Sequence, residues 1–358
     1  MGTIRAAVCH AHGAALSLEE VQLAAPGPGE VRVRMEAVAI CASDIAYAEG
    51  GWGGTLPAVF GHEGVGRVVE AGAETRLAPG TRVLVTLLRA CHACASCSAG
   101  RPAYCEDGVH PGGPLATLAG EEIVQAMQCG AFAEEVVVAP SQLVPVPEEM
   151  PAASACLLSC GVITGIGAAV NVARLRPGQT AVVIGAGGVG LNAIQGARLS
   201  GCARVVAMDL SEDKLADARA FGATDTLLAT DPAPWRALAE IAPRMADAVL
   251  ICTGAIAAFE AAPRLLGRGG RMVMVGMPHS GEMSAYEPVM LAALGQGMIG
   301  SKMGDTVLSR DIPWLVDLYA QGRLELDALV SRTWTLGEIN AAIEDTKRGL
   351  ARRNVIVF

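Results

Sequence analysis

From residue 31 the chain alternates. Val31, Val33 and Met35 are separated by Arg32, Arg34 and Glu36, the period-two pattern of a strand with one buried face. Gly27, Pro28 and Gly29 ahead of it signal a turn. Residues 64–71 and 81–86 are further strand-like runs, punctuated by Pro79 and Gly80, and residues 132–139 form another. Residues 1–160 therefore read as an irregular β-rich domain without a βα repeat. From about Pro151 the pattern changes. Residues 152–158 and 164–171 have helical spacing. Short apolar runs at 181–184, 226–228, 248–252 and 272–276 then alternate with helical stretches. One of those helices is bracketed by Ser211 as N-cap, Glu212 and Asp213 in its first turn and Gly222 at its end. Over residues 161–300 this alternation predicts an α/β fold, a doubly wound parallel sheet with helices on both faces. Residues 301–358 are mixed: helices near 313–320 and 336–348, then a strand over 354–358. This tail is expected to return to the first domain.

The stretch 180–209 carries the first chemistry. An apolar run meets Gly185-Ala186-Gly187-Gly188-Val189-Gly190, a helical pattern follows, and a second apolar run ends at Asp209. This is the strand–turn–helix–strand unit of a Rossmann dinucleotide site. Gly185 permits the sharp turn, Gly187 lets backbone approach a pyrophosphate, and Gly190 lets helix and strand pack closely. Gly188 and Val189 open the helix, whose free N–H groups attract phosphate. Asp209, at the tip of the second strand, can accept hydrogen bonds from ribose hydroxyls and would repel a 2′-phosphate. NAD is therefore expected rather than NADP.

Composition narrows the class. The net charge of −9 argues against a nucleic-acid face, which needs clustered Lys and Arg. No apolar run approaches the ~20 residues of a membrane span, and the N-terminus lacks a long apolar leader. A cytoplasmic enzyme acting on a small molecule is expected. The chain has eleven cysteines, an odd number, and it is too long to need disulfide staples. Cys91, Cys94, Cys97 and Cys105 crowd into one polar loop over residues 89–106. Four thiolates suit a closed, structural tetrahedral zinc, with an iron–sulfur cluster as the rival ligand set. His92, inside the loop, reads as solvated.

Three other residues could form an open metal site. Cys41 follows a strand in Cys41-Ala42-Ser43-Asp44. His62 lies in Phe60-Gly61-His62-Glu63-Gly64, a tight turn. Cys160 lies where one helix ends and another begins, a place that favours a thiolate. Each alone is a weak signal, since a cysteine is usually a small buried hydrophobe.

In combination, GHEGVGRVVEAG around His62, the four-cysteine spacing, SCGVITGIGAAVN around Cys160, and GAGGVG followed by Asp209 resemble the zinc-containing medium-chain alcohol dehydrogenases, over essentially the whole chain. The subgroup with cysteine as third catalytic ligand fits best. The resemblance implies a GroES-like catalytic domain beside the Rossmann domain, and two zinc ions per chain. Cys41, His62 and Cys160 would hold the catalytic zinc, with Glu63 behind it and Asp44 orienting His62. Ser43 would receive the substrate proton. Lys214 would reach the adenosine ribose and Arg353 the pyrophosphate. Trp52, Leu87 and Met127 fall near substrate-pocket positions, with core packing as the alternative for each. An alcohol held at the metal would lose its proton, and hydride would pass from the carbinol carbon to nicotinamide. A homodimer or homotetramer is implied, with contact through an edge strand near residues 272–277 or the segment that follows it.

The chain also departs from the family pattern. Ala46 stands where many relatives carry the histidine that ends the proton relay, which leaves water, cofactor hydroxyls or Tyr47. Ala42 stands where some relatives have a phosphate-contacting arginine. Val109 and Trp52 do not match the charged contacts of the glutathione-dependent formaldehyde branch. The leading expectation is an NAD-dependent dehydrogenase of a primary or aryl alcohol. The alternatives are a biosynthetic reductase of a conjugated carbonyl or iminium, and a non-catalytic nucleotide-binding redox sensor.

Overall fold

A computed structural model describes residues 2–108 and 113–358; Val109 lies outside the described residues. The chain divides into two units, Met1–Cys160 with Val307–Phe358, and Gly161–Thr306. The second boundary therefore falls six residues later than the 300/301 division expected from sequence.

In the first unit the alternating strand Val31–Ala39 is central. It pairs antiparallel with Glu63–Ala71, with Glu135–Val138 and with the last strand, Arg353–Val357. Arg82–Thr86 extends the sheet beyond Glu63–Ala71, and Val330–Thr335 lies parallel to the last strand. A closed barrel of short strands includes Gly2–Cys9 and Ser17–Leu23. Valines of the alternating strand point into a core with Phe132, Ile123 and Trp334, because successive strand residues face opposite sides.

Two elements differ from the sequence expectation. The strand expected over 132–139 is only Glu135–Val138. The chain entering it instead bonds the turn before His62: Ala131 N–H donates to Gly61 O at 2.8 Å and Phe132 N–H to Phe60 O at 2.8 Å. The approach is so close that a Cβ on Gly61 would lie 2.6 Å from Phe132 N. The helix expected from Pro313 begins earlier and runs Leu308–Ala320. Asp311 reaches back to accept the Val307 N–H at 3.0 Å, which secures a start upstream of the proline.

The second unit is a parallel sheet. Its strands lie in the order Asp225–Leu228, Arg204–Asp209, Thr180–Ile184, Ala246–Ile251, Leu266–Met274, Gly297–Gly300. The order reverses direction beside Thr180–Ile184, the strand that feeds the glycine turn, and open α/β sheets bind ligands at such reversals. Ser211 caps its helix by accepting the Lys214 N–H, as its position predicts. Of the two places expected for the contact, residues 272–277 and the segment that follows, the first needs correction. Leu266–Met274 is an interior strand covered by Gly297–Gly300, and the latter forms the edge. Gly297–Gly300 contains two glycines and only four residues, so it carries little strand signal.

Candidate active site

Asp44 organises one side of the site. It lies in the first turn of the helix Ala42–Ala48 and is almost fully buried. One carboxylate oxygen accepts the Cys41 N–H at 3.0 Å; the other accepts the Gly61 N–H at 2.9 Å and meets His62 Nδ1 at 3.0 Å. A carboxylate cannot donate, so Nδ1 carries the proton, and in the neutral ring Nε2 keeps its lone pair. Burial opposes a charge on His62, but Asp44 and Cys41 outweigh it and raise the imidazole pKa well above its ordinary value.

Among the described residues, buried His62 Nε2 has no hydrogen-bond partner, and the same is true of Glu63 Oε1. Such orphaned atoms are costly unless something occupies their lone pairs. The donor atoms of Cys41, His62, Glu63 and Cys160 all lie within 4.8 Å of one another, and all four residues are buried. A hydrogen bond from Cys160 is the main influence that depresses the Cys41 thiol, reinforced by His62 and Arg353 against burial. The Cys160 thiol is raised by the same contact and by burial. Two sulfurs and one imidazole nitrogen, with the other ring nitrogen tied to a carboxylate, form the donor set of an open zinc site. The residues therefore fit the metal.

A Glu63 carboxylate oxygen shares the span of the donors, and its Oε2 pairs with Arg353. Burial pushes the Glu63 carboxyl up to about 7, against the pull of Arg353. Arg353, expected at the pyrophosphate, is buried with its guanidinium on Glu63 and its Nε without a partner. The two residues are 290 positions apart, and no local pattern links them. Ser43 Oγ is 3.1 Å from Cys41 Sγ. Trp52 packs edge-on against Tyr47, with centroids 5.0 Å apart. Leu87 and Met127 are half-buried against the core.

The second cluster is local. The sulfurs of Cys91, Cys94, Cys97 and Cys105 lie within 4.8 Å of one another. Backbone N–H groups point at them, including Cys91 to Cys105 Sγ at 3.2 Å and Cys94 to Cys91 Sγ at 3.3 Å. The Glu106 and Cys97 N–H groups lower the Cys94 thiol to about 6. Four cysteine sulfurs, with no further donor among the described residues, fit a closed site, and His92 is exposed and outside the donor group.

In the glycine turn, a Cβ on Gly190 would lie 1.7 Å from Gly185 O, so helix and strand touch there. A Cβ on Gly187 would meet nothing within 4 Å, which leaves open space over that backbone for a phosphate. Gly188 and Val189 begin the helix Gly188–Leu199. Asp209 accepts the Ala186 N–H at 2.7 Å and the Ser211 N–H at 3.1 Å, one on each oxygen. Its carboxylate is thus held in place beside the turn. Lys214 sits one turn into the next helix.

Sequence reasoning overlooked the supports of Cys160. Thr86 Oγ1 donates to Ser159 O at 2.6 Å, and Ser159 Oγ donates to Gly64 O at 2.9 Å. Lone hydroxyl residues in a strand and a helical turn carry no signal of such contacts.

Comparison with known proteins agrees with this chemistry. Residues 27–148 match the alcohol dehydrogenase GroES-like domain, and residues 188–321 match the zinc-binding dehydrogenase domain. The chain is 35% identical to putative alcohol dehydrogenase D of Mycobacterium tuberculosis, over 98% of this chain and 99% of that one. It is 32% identical to an S-(hydroxymethyl)glutathione dehydrogenase of Paracoccus denitrificans, over 99% of each. Among solved structures, benzyl alcohol dehydrogenase from Acinetobacter calcoaceticus superposes with a TM-score of 0.94 at 29% identity, over all of both chains. This chain belongs to the zinc-containing medium-chain alcohol dehydrogenase family and is an oxidoreductase.

Proposed function

We propose that the protein interconverts a primary or aryl alcohol and its aldehyde with NAD as hydride partner. The observation that carries this reading is the unpartnered His62 Nε2, buried among two cysteine sulfurs and aimed by Asp44. When bound, zinc supplies Lewis acidity toward an alcohol or carbonyl oxygen, and the nicotinamide takes or gives the hydride.

The chain's own residues do the rest. Cys41, His62 and Cys160 supply the ligands, and Asp44 keeps His62 in the ligating tautomer. The Ser43 hydroxyl, beside Cys41 Sγ, takes the substrate proton and passes it outward. Ala46 can hold no proton, so beyond Ser43 the relay ends in water or a cofactor hydroxyl. Glu63 supplies negative charge near the metal, and Arg353 offsets it. Arg353 also remains the candidate for the pyrophosphate through its unpartnered Nε. Asp209 has lone pairs left for ribose hydroxyls, which favours NAD over a 2′-phosphate, and Lys214 assists at the ribose. Trp52, Leu87 and Met127 form the apolar wall that suits an aryl group; the likeness to a benzyl alcohol dehydrogenase supports this choice.

Self-association through the Gly297–Gly300 edge is supported by Met298 and Ile299 on that strand, with Met283, Val289 and Met290 nearby in sequence, all exposed. Among the described residues none of the eleven cysteines is in a disulfide, which suits a reducing cytoplasm. No single described helix is long and apolar enough to cross a membrane.

The test is a reduction screen over aliphatic, aryl and terpenoid alcohols and S-(hydroxymethyl)glutathione, with NAD and NADP side by side. The expected result is turnover of a primary or aryl alcohol with NAD. Preference for NADP would refute the role of Asp209. Turnover only of conjugated carbonyls in the reverse direction would replace the alcohol reading with a reductase.

A further inference from the structure

Cys41 and His62 are tied to one carboxylate, whereas Cys160 arrives from a different part of the chain. We propose that Thr86 and Ser159 are positioning residues that set the place of the third metal ligand. The inference rests on the zinc reading above.

The chain is helical on either side of Cys160, but Cys160 itself, at φ −148° and ψ −72°, is not. A broken helix leaves carbonyls in need of donors. The Ser159 carbonyl, one peptide before the ligand, takes its hydrogen bond from Thr86 Oγ1 at 2.6 Å. The Ser159 hydroxyl in turn donates to Gly64 O at 2.9 Å. Thr86 and Ser159 are each 1% exposed, so water cannot replace either bond cheaply.

Both anchor points belong to one antiparallel ladder, in which Glu63 pairs with Thr86 and Gly64 with Val85. Glu63 follows His62 directly. The clasp therefore ties the peptide before Cys160 to the strand that starts beside the second ligand. The Thr86 backbone is itself held, since buried Gln142 Nε2 donates to Thr86 O at 2.9 Å and to Gln128 O at 2.9 Å. A shift of residue 159 would move the Cys160 sulfur relative to the Cys41 sulfur and His62 Nε2, and metal affinity depends steeply on such placement.

The test compares Thr86→Val, Ser159→Ala and the hydroxyl-retaining Thr86→Ser in the full chain loaded with cobalt(II) or zinc. Added imidazole perturbs cobalt only where a coordination position is open, so it separates this site from the four-cysteine lobe. The expected result is release of the imidazole-responsive metal to a chelator about ten to a hundred times faster in Thr86→Val and Ser159→Ala. Their sulfur-to-cobalt absorption should shift, and Thr86→Ser should behave as wild type. Wild-type release rates and spectra in both variants overturn the proposal, even if their melting temperatures fall. Should Thr86→Val not fold, Ser159→Ala decides by the same readings. A wild-type chain with no imidazole-responsive cobalt would refute the zinc reading itself, and the clasp with it.

Discussion

The protein builds two sulfur-rich donor clusters by opposite routes. Cys91, Cys94, Cys97 and Cys105 come from one loop, are partly exposed, and are held by N–H groups of that same loop. Cys41, His62 and Cys160 come from a helix start, a turn between strands and a break between helical segments, and all are buried. In the first cluster all four donors are cysteine sulfurs, which would close the coordination of a bound zinc and organise a segment with little apolar content. In the second, three donors and a paired carboxylate leave chemistry possible. A local cluster can be assembled by a metal as the loop folds. A dispersed one must be assembled by the surrounding core, so its precision depends on buried hydrogen bonds such as those of Asp44.

This contrast is most strongly tested by Cys160→Ala. Turnover should fall by about a hundredfold to a thousandfold or more, with one metal lost per chain and NADH binding, read by fluorescence, retained. Near-normal turnover would mean that the dispersed cluster does not need its third donor. Cys94→Ser should act the other way, on stability. Loss of the loop metal should cost about 2–4 kcal/mol, a drop of about 5 °C or more in calorimetric melting temperature. An unchanged melting temperature would remove the structural role. Asp44→Asn keeps every ligand but weakens their support. Zinc at the buried site should be held about ten to a hundred times less tightly in a chelator competition, with the four-cysteine metal unaffected; equal loss from both would erase the distinction.

The smallest effect is expected outside both clusters. Burial would raise the Glu134 carboxyl, but the Arg5 backbone N–H and guanidinium outweigh it and hold the pKa below its ordinary value. The pair thus adds stability above the ordinary carboxylate range, and that stability is lost as pH falls through the depressed value. Glu134→Gln should cost at most about 1 kcal/mol at neutral pH, read from urea midpoints, and the gap should close in acid. Metal content should not change. A gap that persists in acid would assign the effect to packing instead of charge.

Much of this was legible along the chain. The spacing of Gly185, Gly187 and Gly190 before Asp209 marks a nucleotide turn because each glycine answers a local steric demand. Ser211 as a cap and the alternation at Val31 are likewise settled by neighbours a few residues away. The hydrogen bonds of Asp44 to His62 could be anticipated only from family resemblance, not from spacing. The Glu63–Arg353 pair and the clasp on Ser159 could not be read at all, and the edge strand Gly297–Gly300 only as the segment after residues 272–277. In each, the partner is chosen by strand register and burial, quantities that the local sequence does not encode.

The sequence by itself determined the element types, the nucleotide turn and the four-cysteine lobe, because their interactions close within some thirty residues or less. Only the tertiary structure decided that His62 Nε2 and the sulfurs of Cys41 and Cys160 meet, with Glu63 and Arg353 beside them. That meeting depends on the ladder between Val31–Ala39, Glu63–Ala71 and Arg353–Val357. It is a matter of packing a common core, which no single stretch of the chain specifies.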